Sequence, residues 1–282
     1  MAITAAVIRV RVVPMSWREQ VVLGRSGLKV GRLGIGASFG VGAAPIERAF
    51  HEYGVNYFYW GSIRRGGMKT AIRNLRSQRD DLVVALQTYD HTGVLMQGSV
   101  ERGLKSLGVE VADVLIVGWR NARPPPRIMD AARTLVEQGK VKHLAMSGHH
   151  RPLFGELAKD PDNPFDIFMV RYNAAHPGAE QDIFPHLSDG APGVTTYTGT
   201  CWGKLLDPKR MPAGDQPMTA ADCYRFALSS PHVNLCITGP KDDAQMEHAL
   251  TALEAGPLSE DETRRIRRIG AHVHGGRLYT DF

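Results

Sequence analysis

Short apolar, β-rich runs alternate with amphipathic helical stretches along almost the whole chain. No other feature of the sequence constrains the fold as strongly. The predicted strands are Leu33–Ala37, Asn56–Trp60, Leu82–Gln87, Val114–Gly118, His143–Ser147, Ile167–Tyr172, Val194–Tyr197 and Asn234–Thr238. Helices are predicted near Pro45–Tyr53, Met68–Arg76, Val100–Leu107, Pro126–Gln138, Pro152–Ala158, Ala179–Leu187, Ala220–Leu228 and Asp243–Ala252. Pro45 and Pro126 suit first helical turns, and Gly54, Gly108 and Gly139 fall just past helix ends. A strand-helix unit repeated eight times predicts a (β/α)8 TIM barrel. A doubly wound sheet is the alternative. It wants a G-x-G-x-x-G turn, and Gly34-Ile35-Gly36 has no third glycine in register. Two short runs ahead of the barrel, Val21-Val22-Leu23 and Leu28-Lys29-Val30, read as a β-hairpin that would plug its base. Glu260–Ile269 reads as an extra C-terminal helix. The expected organisation is an N-terminal extension over 1–20, with Met15 as the true start, and one barrel over 21–282.

Composition narrows the function classes. Cys201, Cys223 and Cys236 are an odd number at no metal-ligand spacing, which argues against a disulfide framework and for a reducing cytoplasm. No apolar run approaches the roughly 20 residues of a membrane span. The net charge of +5 comes from scattered basic residues, apart from Arg264-Arg265-Ile266-Arg267-Arg268. That run follows Glu260-Asp261-Glu262, and acid before base along one helix suits the helix dipole. It is read as a solvated helix face, not a nucleic-acid patch. Neither nucleic acid nor membrane is an expected partner.

In a barrel of this kind, the C-terminal strand ends carry the site. The second strand ends in Tyr59 and Trp60 and runs into Arg64 and Arg65; the third ends at Gln87, followed by Tyr89, Asp90 and His91. Trp119, Arg120 and Asn121 follow the fourth, and His149 and His150 the fifth. Arg171 ends the sixth, and Tyr197 and Trp202 belong to the seventh and its loop. Guanidinium forks hold anions and aromatic faces stack on flat ligands, so this mouth points to an anionic or conjugated small molecule. Each residue has a plainer reading. Trp60 and Trp119 could cap the barrel, Arg64 and Arg65 could pair with Asp90 or solvent, and Cys201 could be inert packing. No acidic or Cys partner completes a metal site around His149 and His150.

Ordered segments of the chain resemble the aldo-keto reductase superfamily. Leu23-Gly24-Arg25-Ser26-Gly27-Leu28-Lys29-Val30 and Arg32-Leu33-Gly34-Ile35-Gly36 look like its opening hairpin and first strand. Gly54-Val55-Asn56-Tyr57-Phe58, Val111-Ala112-Asp113-Val114-Leu115, Gly139-Lys140-Val141-Lys142-His143-Leu144-Ala145 and Arg171-Tyr172-Asn173 look like later strands. Ile237-Thr238-Gly239-Pro240 and Leu258-Ser259-Glu260-Asp261-Glu262 match its closing segments. The resemblance spans about Val21 to Ile269 and implies carbonyl reduction with NADPH. It also implies that the family's Asp, Tyr, Lys and His positions hold Tyr59, Arg64, Gln87 and Gly118, so that the whole tetrad is replaced. A guanidinium is not a general acid at physiological pH, and glycine has no side chain, so the family mechanism cannot run unaltered. The cofactor positions it implies are Ser147 and Tyr197 for the nicotinamide, and Lys241 and Gln245 for the 2′-phosphate and adenine.

The expected function is therefore a barrel acting on a small anionic or conjugated molecule, including as a non-standard NADPH-dependent oxidoreductase. Two alternatives stand beside it: a cofactor-independent isomerase, dehydratase or cyclase, and an inert ligand-binding protein. The candidate catalytic residues are Tyr59, Arg64, Gln87, His91, Trp119 and His149, with Trp60, Arg65, Arg120 and Arg171 as substrate contacts. The expected assembly is a monomer or small homo-oligomer.

Overall fold

The computed structural model describes residues 17–61 and 66–275. Arg64 and Arg65, named above as catalytic and substrate-binding candidates, lie outside the described residues. The hairpin is β1 (Val21–Val22) and β2 (Lys29–Val30), antiparallel to each other. The barrel strands are β3 (Leu33–Gly36), β4 (Tyr57–Trp60), β5 (Val83–Thr88), β6 (Ala112–Val117), β7 (Val141–Gly148), β8 (Ile167–Arg171), β9 (Gly193–Tyr197) and β10 (Leu235–Thr238). They pair in parallel in chain order, and β10 pairs back onto β3 to close the barrel. The helices are α1 (Ala43–Tyr53), α2 (Gly66–Asn74), α3 (Gly93–Leu107), α4 (Pro126–Glu137), α5 (Arg151–Lys159), α6 (Ala179–Asp182), α7 (Ala220–Leu228), α8 (Asp243–Ala255) and α9 (Glu260–Gly275).

Successive side chains of a strand point to opposite faces, so the closed sheet sorts its residues into two cores. Tyr57, Tyr59, Val83, Ala85, Val114, Ile116 and Met169 fill the barrel interior. Leu23 and Val30 of the hairpin belong to that interior cluster, and so plug the barrel base as expected. Phe58, Trp60, Val84, Leu86, Leu115 and Phe168 face outward into the layer shared with the helices. The buried Asn56 side chain locks the base: it accepts from Gly31 N–H (3.0 Å) and donates to the Lys29 and Asp81 carbonyls (3.0 Å each).

Helix ends depart from the sequence reading for local reasons. The α3 helix begins at Gly93, well ahead of the expected Val100, because Thr92 caps it by accepting from Leu95 N–H. Its first turn carries exposed Val94 and Leu95 and so lacks the apolar periodicity that would reveal a helix. The helix expected over Ala179–Leu187 stops at Asp182 and resumes as a 3-10 turn at Phe184–His186, where Pro185 breaks the ladder. The last helix continues past Ile269 to Gly275, since Ile266, Ile269, Gly270 and Val273 are all buried.

The basic run of α9 is a solvated face, as expected, with Arg264, Arg267 and Arg268 exposed, and it also makes surface contacts. Arg267 pairs with Glu180 (2.8 Å), Arg268 pairs with Asp215 (2.6 Å), and Arg265 donates to the Gln216 carbonyl (2.7 Å). The contacts of Arg265 and Arg268 pin the long β9–α7 loop, and that of Arg267 ties α9 to α6. Arg225 of α7, nearly buried, binds Glu262 (2.7 Å) and donates to the Gly256 carbonyl (2.8 Å). The Arg225 guanidinium, helped by the Ser259 N–H, holds the Glu262 carboxyl down at about 2, from the usual 4.5. A depressed carboxyl stabilises the fold fully above pH 4.5, and that contribution fades as pH falls toward 2. We expect the melting temperature to drop through this window, and Glu262→Gln to be less stable at pH 7 while losing that part of the acid sensitivity. A thermal melt series from pH 7 to pH 2.5 on both proteins checks it; identical curves would reject the assignment.

Candidate active site

Four tyrosines and a histidine meet a chain of neutral polar groups at the C-terminal end of the barrel. They surround a cavity of about 590 Å³ that opens between the strand ends. Its floor is built by interior-facing positions of five of the strands: Tyr59 on β4, Gln87 on β5, Ser147 on β7, Met169 on β8 and Ile237 on β10. Tyr59 O–H donates to Gln87 Oε1, and Gln87 Nε2–H donates to Ser147 Oγ (3.2 Å). Trp119 N–H also donates to Ser147 Oγ (3.2 Å), so the serine takes two bonds as acceptor and keeps its own proton to donate.

Two glycines make room for this chain. A Cβ at Gly61 would lie 2.1 Å from the Tyr59 ring. One at Gly118 would lie 2.3 Å from Gln87 Nε2 and 2.7 Å from the Thr88 carbonyl. The absent side chain at Gly118 is therefore space that the Gln87 amide fills. Burial, and next the Tyr89 phenol 3.5 Å away, push the Tyr59 hydroxyl far above the usual tyrosine range. Burial does the same to Tyr197. Both phenols are hydrogen-bonding groups that stay protonated.

Rings line the wall above this floor. Tyr89 meets Trp119 edge-on (5.5 Å between centroids), Trp119 lies 6.0 Å from His149, and His149 lies 6.0 Å from Tyr197. The Tyr197 hydroxyl sits 3.3 Å from His149 Nδ1. If it donates there, Nε2 carries the imidazole proton. Burial, and then the positive charge of Arg171, lower the pKa of His149 below 6.5 and keep it neutral at pH 7. Asn121 Oδ1 accepts from the N–H groups of His149 (2.9 Å) and His150 (3.2 Å), fixing the loop that carries both.

Several sequence candidates stand elsewhere. Trp60, expected to touch substrate, points away from the cavity because it follows Tyr59 by one residue; its ring lies in the outer core with Phe58. His91 is exposed, and its Nδ1 lies 3.4 Å from the Arg120 guanidinium, outside the cavity lining. Arg120, expected to touch substrate, donates to the Asp90 carbonyl (2.6 Å). The Asp90 carboxylate accepts from Thr88 (2.6 Å) and Ser99. Arg171 is half-buried behind the wall, its guanidinium 6.0 Å from the Trp202 ring. Lys241 on the β10–α8 loop and Gln245 in the first turn of α8 are exposed, and Gln245 Oε1 accepts from Lys241 N–H (3.1 Å). Cys201 is buried with its Sγ 3.7 Å from His176 Nδ1, outside the cavity lining. Among the described residues, no group of His, Cys, Asp and Glu could hold a metal ion.

The sequence reading missed Phe39, Tyr224 and Thr238 in the lining. Tyr224 comes from α7, and a helix facing a barrel rarely advertises which side chain reaches over the rim. A test of the packed floor follows. Gly118→Ala should cost about 1–3 kcal/mol in denaturant unfolding, as overpacking does. Adding Gln87→Ala removes one of the two clashes, so the pair of substitutions should cost less than their sum. Strict additivity would mean that Gln87 does not occupy this space.

The profile of the Aldo/keto reductase family matches residues 43–210. L-galactose dehydrogenase of Arabidopsis thaliana is 22% identical over 299 residues, covering 88% of this chain and 92% of that protein. Norsolorinic acid reductase B of Aspergillus parasiticus is 29% identical over 143 residues, 43% of this chain and 37% of the relative. Among solved structures, the holo form of an aldo-keto reductase from Bacillus halodurans superimposes with a TM-score of 0.70 at 18% identity, covering 89% of this chain and 96% of that one. An aldo/keto reductase from Klebsiella pneumoniae in complex with NADP and acetate also gives 0.70, at 20% identity, covering 90% and 96%. No described helix is long and apolar enough to cross a membrane. With more than half its length matched and its barrel closed in the same way, the chain belongs to the aldo/keto reductase family.

Proposed function

We propose that this protein is an NADPH-dependent oxidoreductase for a small conjugated or anionic carbonyl compound, working with a polar chain in place of the family's Asp, Tyr, Lys and His. The observation that carries this reading is the Tyr59–Gln87–Ser147 chain on the cavity floor, accommodated by Gly61 and Gly118. A decayed site would leave gaps or apolar filling. Here neighbouring residues fit one another, as in a maintained polar network.

The donor set fits a nicotinamide cofactor. Ser147 keeps a free hydroxyl proton for a carboxamide, Tyr197 offers a ring in the cavity wall, and Lys241 places an exposed ammonium on the β10–α8 loop for a phosphate. When bound, the cofactor supplies a hydride equivalent. A carbonyl oxygen that becomes an alkoxide needs preorganised donors. Two neutral groups of this chain serve that role in the cavity: the Ser147 hydroxyl and the neutral His149 imidazole. The alkoxide takes its proton from solvent at the open mouth, because burial makes a phenolate at Tyr59 or Tyr197 costly and both hold their protons tightly. That same tightness supports a second reading, a ligand-binding protein without turnover.

Titration with NADPH, followed by quenching of tryptophan fluorescence, tests the cofactor. We expect saturation in the micromolar range, weakened about tenfold by Ser147→Ala or Tyr197→Ala, the scale of one lost hydrogen bond or ring contact. No saturation at millimolar NADPH would reject the oxidoreductase reading. If NADPH binds, oxidation of NADPH by conjugated carbonyls separates turnover from binding alone. Since His149 is held neutral, its pKa lying below 6.5, turnover should stay level above pH 6.5 and rise only below it, where the imidazolium becomes a stronger donor to the developing alkoxide.

A further inference from the structure

Where the pairing of β6 and β7 ends, at Val117 and Met146, the two chains stay in contact. Trp119 N–H donates to Ser147 Oγ (3.2 Å), and Arg120 N–H donates to the Ser147 carbonyl (2.8 Å). Farther along, Asn121 Oδ1 accepts from the N–H groups of both His149 (2.9 Å) and His150 (3.2 Å). Gly148 permits this approach, since a Cβ there would lie 2.1 Å from the Arg120 carbonyl oxygen. Trp119 has a left-handed backbone (φ +48°), as do Cys201 (+52°) and Trp202 (+53°) in the loop after β9. Such backbone is strained for a bulky residue, and at Trp119 it turns two successive N–H groups onto Ser147.

Asn121 carries this clasp into the next loop with its side chain. Two N–H donors require an acceptor, so the amide oxygen faces the backbone of the turn. The His150 side chain makes no cap bond where α5 begins, and the neighbouring loop holds that turn instead. His149 follows Ser147 by two residues, and both line the cavity. Its imidazole stands between the rings of Trp119 and Tyr197, with Nδ1 3.3 Å from the Tyr197 hydroxyl. Arg171 at the end of β8 and Tyr197 at the end of β9 are the titratable groups of other elements that act on this ring, and Tyr89, after β5, stands beyond Trp119. On its own loop His150 and Arg151 follow, and Arg151 is paired with Asp182 (2.8 Å). The Asn121 amide holds the loop without adding a charge.

We propose that Asn121 is a positioning residue: by accepting from two successive N–H groups, it sets the His149 imidazole against Tyr197 at the cavity wall. The same clasp sets Ser147 at the floor through Trp119 N–H, so one loop fixes both neutral donors relative to each other. This rests on the reading of Ser147 and His149 as donors to a ligand oxygen. The placement itself needs no nicotinamide.

The test uses the full chain without NADPH and follows the His149 imidazole by proton NMR, its signal assigned by its loss in His149→Gln. In the native chain, cross-peaks should join the His149 and Tyr197 rings, and the imidazole should titrate below pH 6.5. Asn121→Ala should lose the cross-peaks and move the midpoint up toward 6.5 as the ring meets water. Asn121→Asp keeps an acceptor for both N–H groups. It should keep the cross-peaks and raise the midpoint by about one unit, since a carboxylate favours the imidazolium. A role confined to holding the fold would lower the melting temperature of Asn121→Ala and leave cross-peaks and midpoint unmoved, which overturns the proposal. Should Asn121→Ala not fold, the aspartate variant decides alone, and an unmoved midpoint in it overturns the proposal. With NADPH and a conjugated carbonyl compound, kcat of Asn121→Ala should fall at least about tenfold while KM stays within about twofold. No NADPH oxidation by the native chain, together with the NMR changes, rejects the oxidoreductase reading alone. Turnover by the native chain with unmoved NMR signals in the variants rejects this inference alone.

Discussion

Everything at the mouth of this barrel depends on the two-residue alternation of its strands. A closed parallel sheet leaves no edge, so each strand must send alternate side chains inward and outward in register with both neighbours. Tyr57 and Tyr59 therefore enter the barrel while Phe58 and Trp60 face the helices. The same rule brings Gln87, Ser147 and Met169, from strands far apart in sequence, to the floor of one cavity. The hairpin closes the other end, with Leu23 and Val30 in the interior cluster.

Charge is kept away from that floor. The groups that touch one another are a phenol, a primary amide, a hydroxyl and a neutral imidazole, and burial moves the titrating ones toward their uncharged forms. Cationic groups sit behind the wall or on the rim, engaged with carbonyls and rings: Arg120 with Asp90, Arg171 with Trp202. Under the proposed function, such a pocket would meet a flat body through its faces and an oxygen through neutral donors, with the guanidinium of Arg171 contributing field more than contact.

The loops that shape the opening are held from outside the barrel. Arg265 and Arg268 of α9 fasten the β9–α7 segment near Gln216 and Asp215, and Arg225 ties α7 to the start of α9 through Glu262. This anchoring gives the left-handed turn around Cys201 and Trp202 a rigid base, which strained backbone requires if it is to persist. The basic helix face read from the sequence is solvated, and the same face also ties down the β9–α7 segment.

The alternation of β-rich and helical runs determined the barrel, its strand order and its hairpin plug, because those follow from local periodicity and from the short reach of each connection. It also brought Tyr59, Gln87, Ser147, His149 and Tyr197 to one end, since strand termini are readable in one dimension. Only the tertiary structure decided which of those neighbours share a cavity. One position of pleat separates Tyr59 from Trp60, and a loop's path separates His149 from His91. The fit of Gln87 into the space left by Gly118, and the left-handed backbone beneath Trp119 and Trp202, have no local signature at all. Both depend on contacts between strands and loops that meet only when the barrel closes.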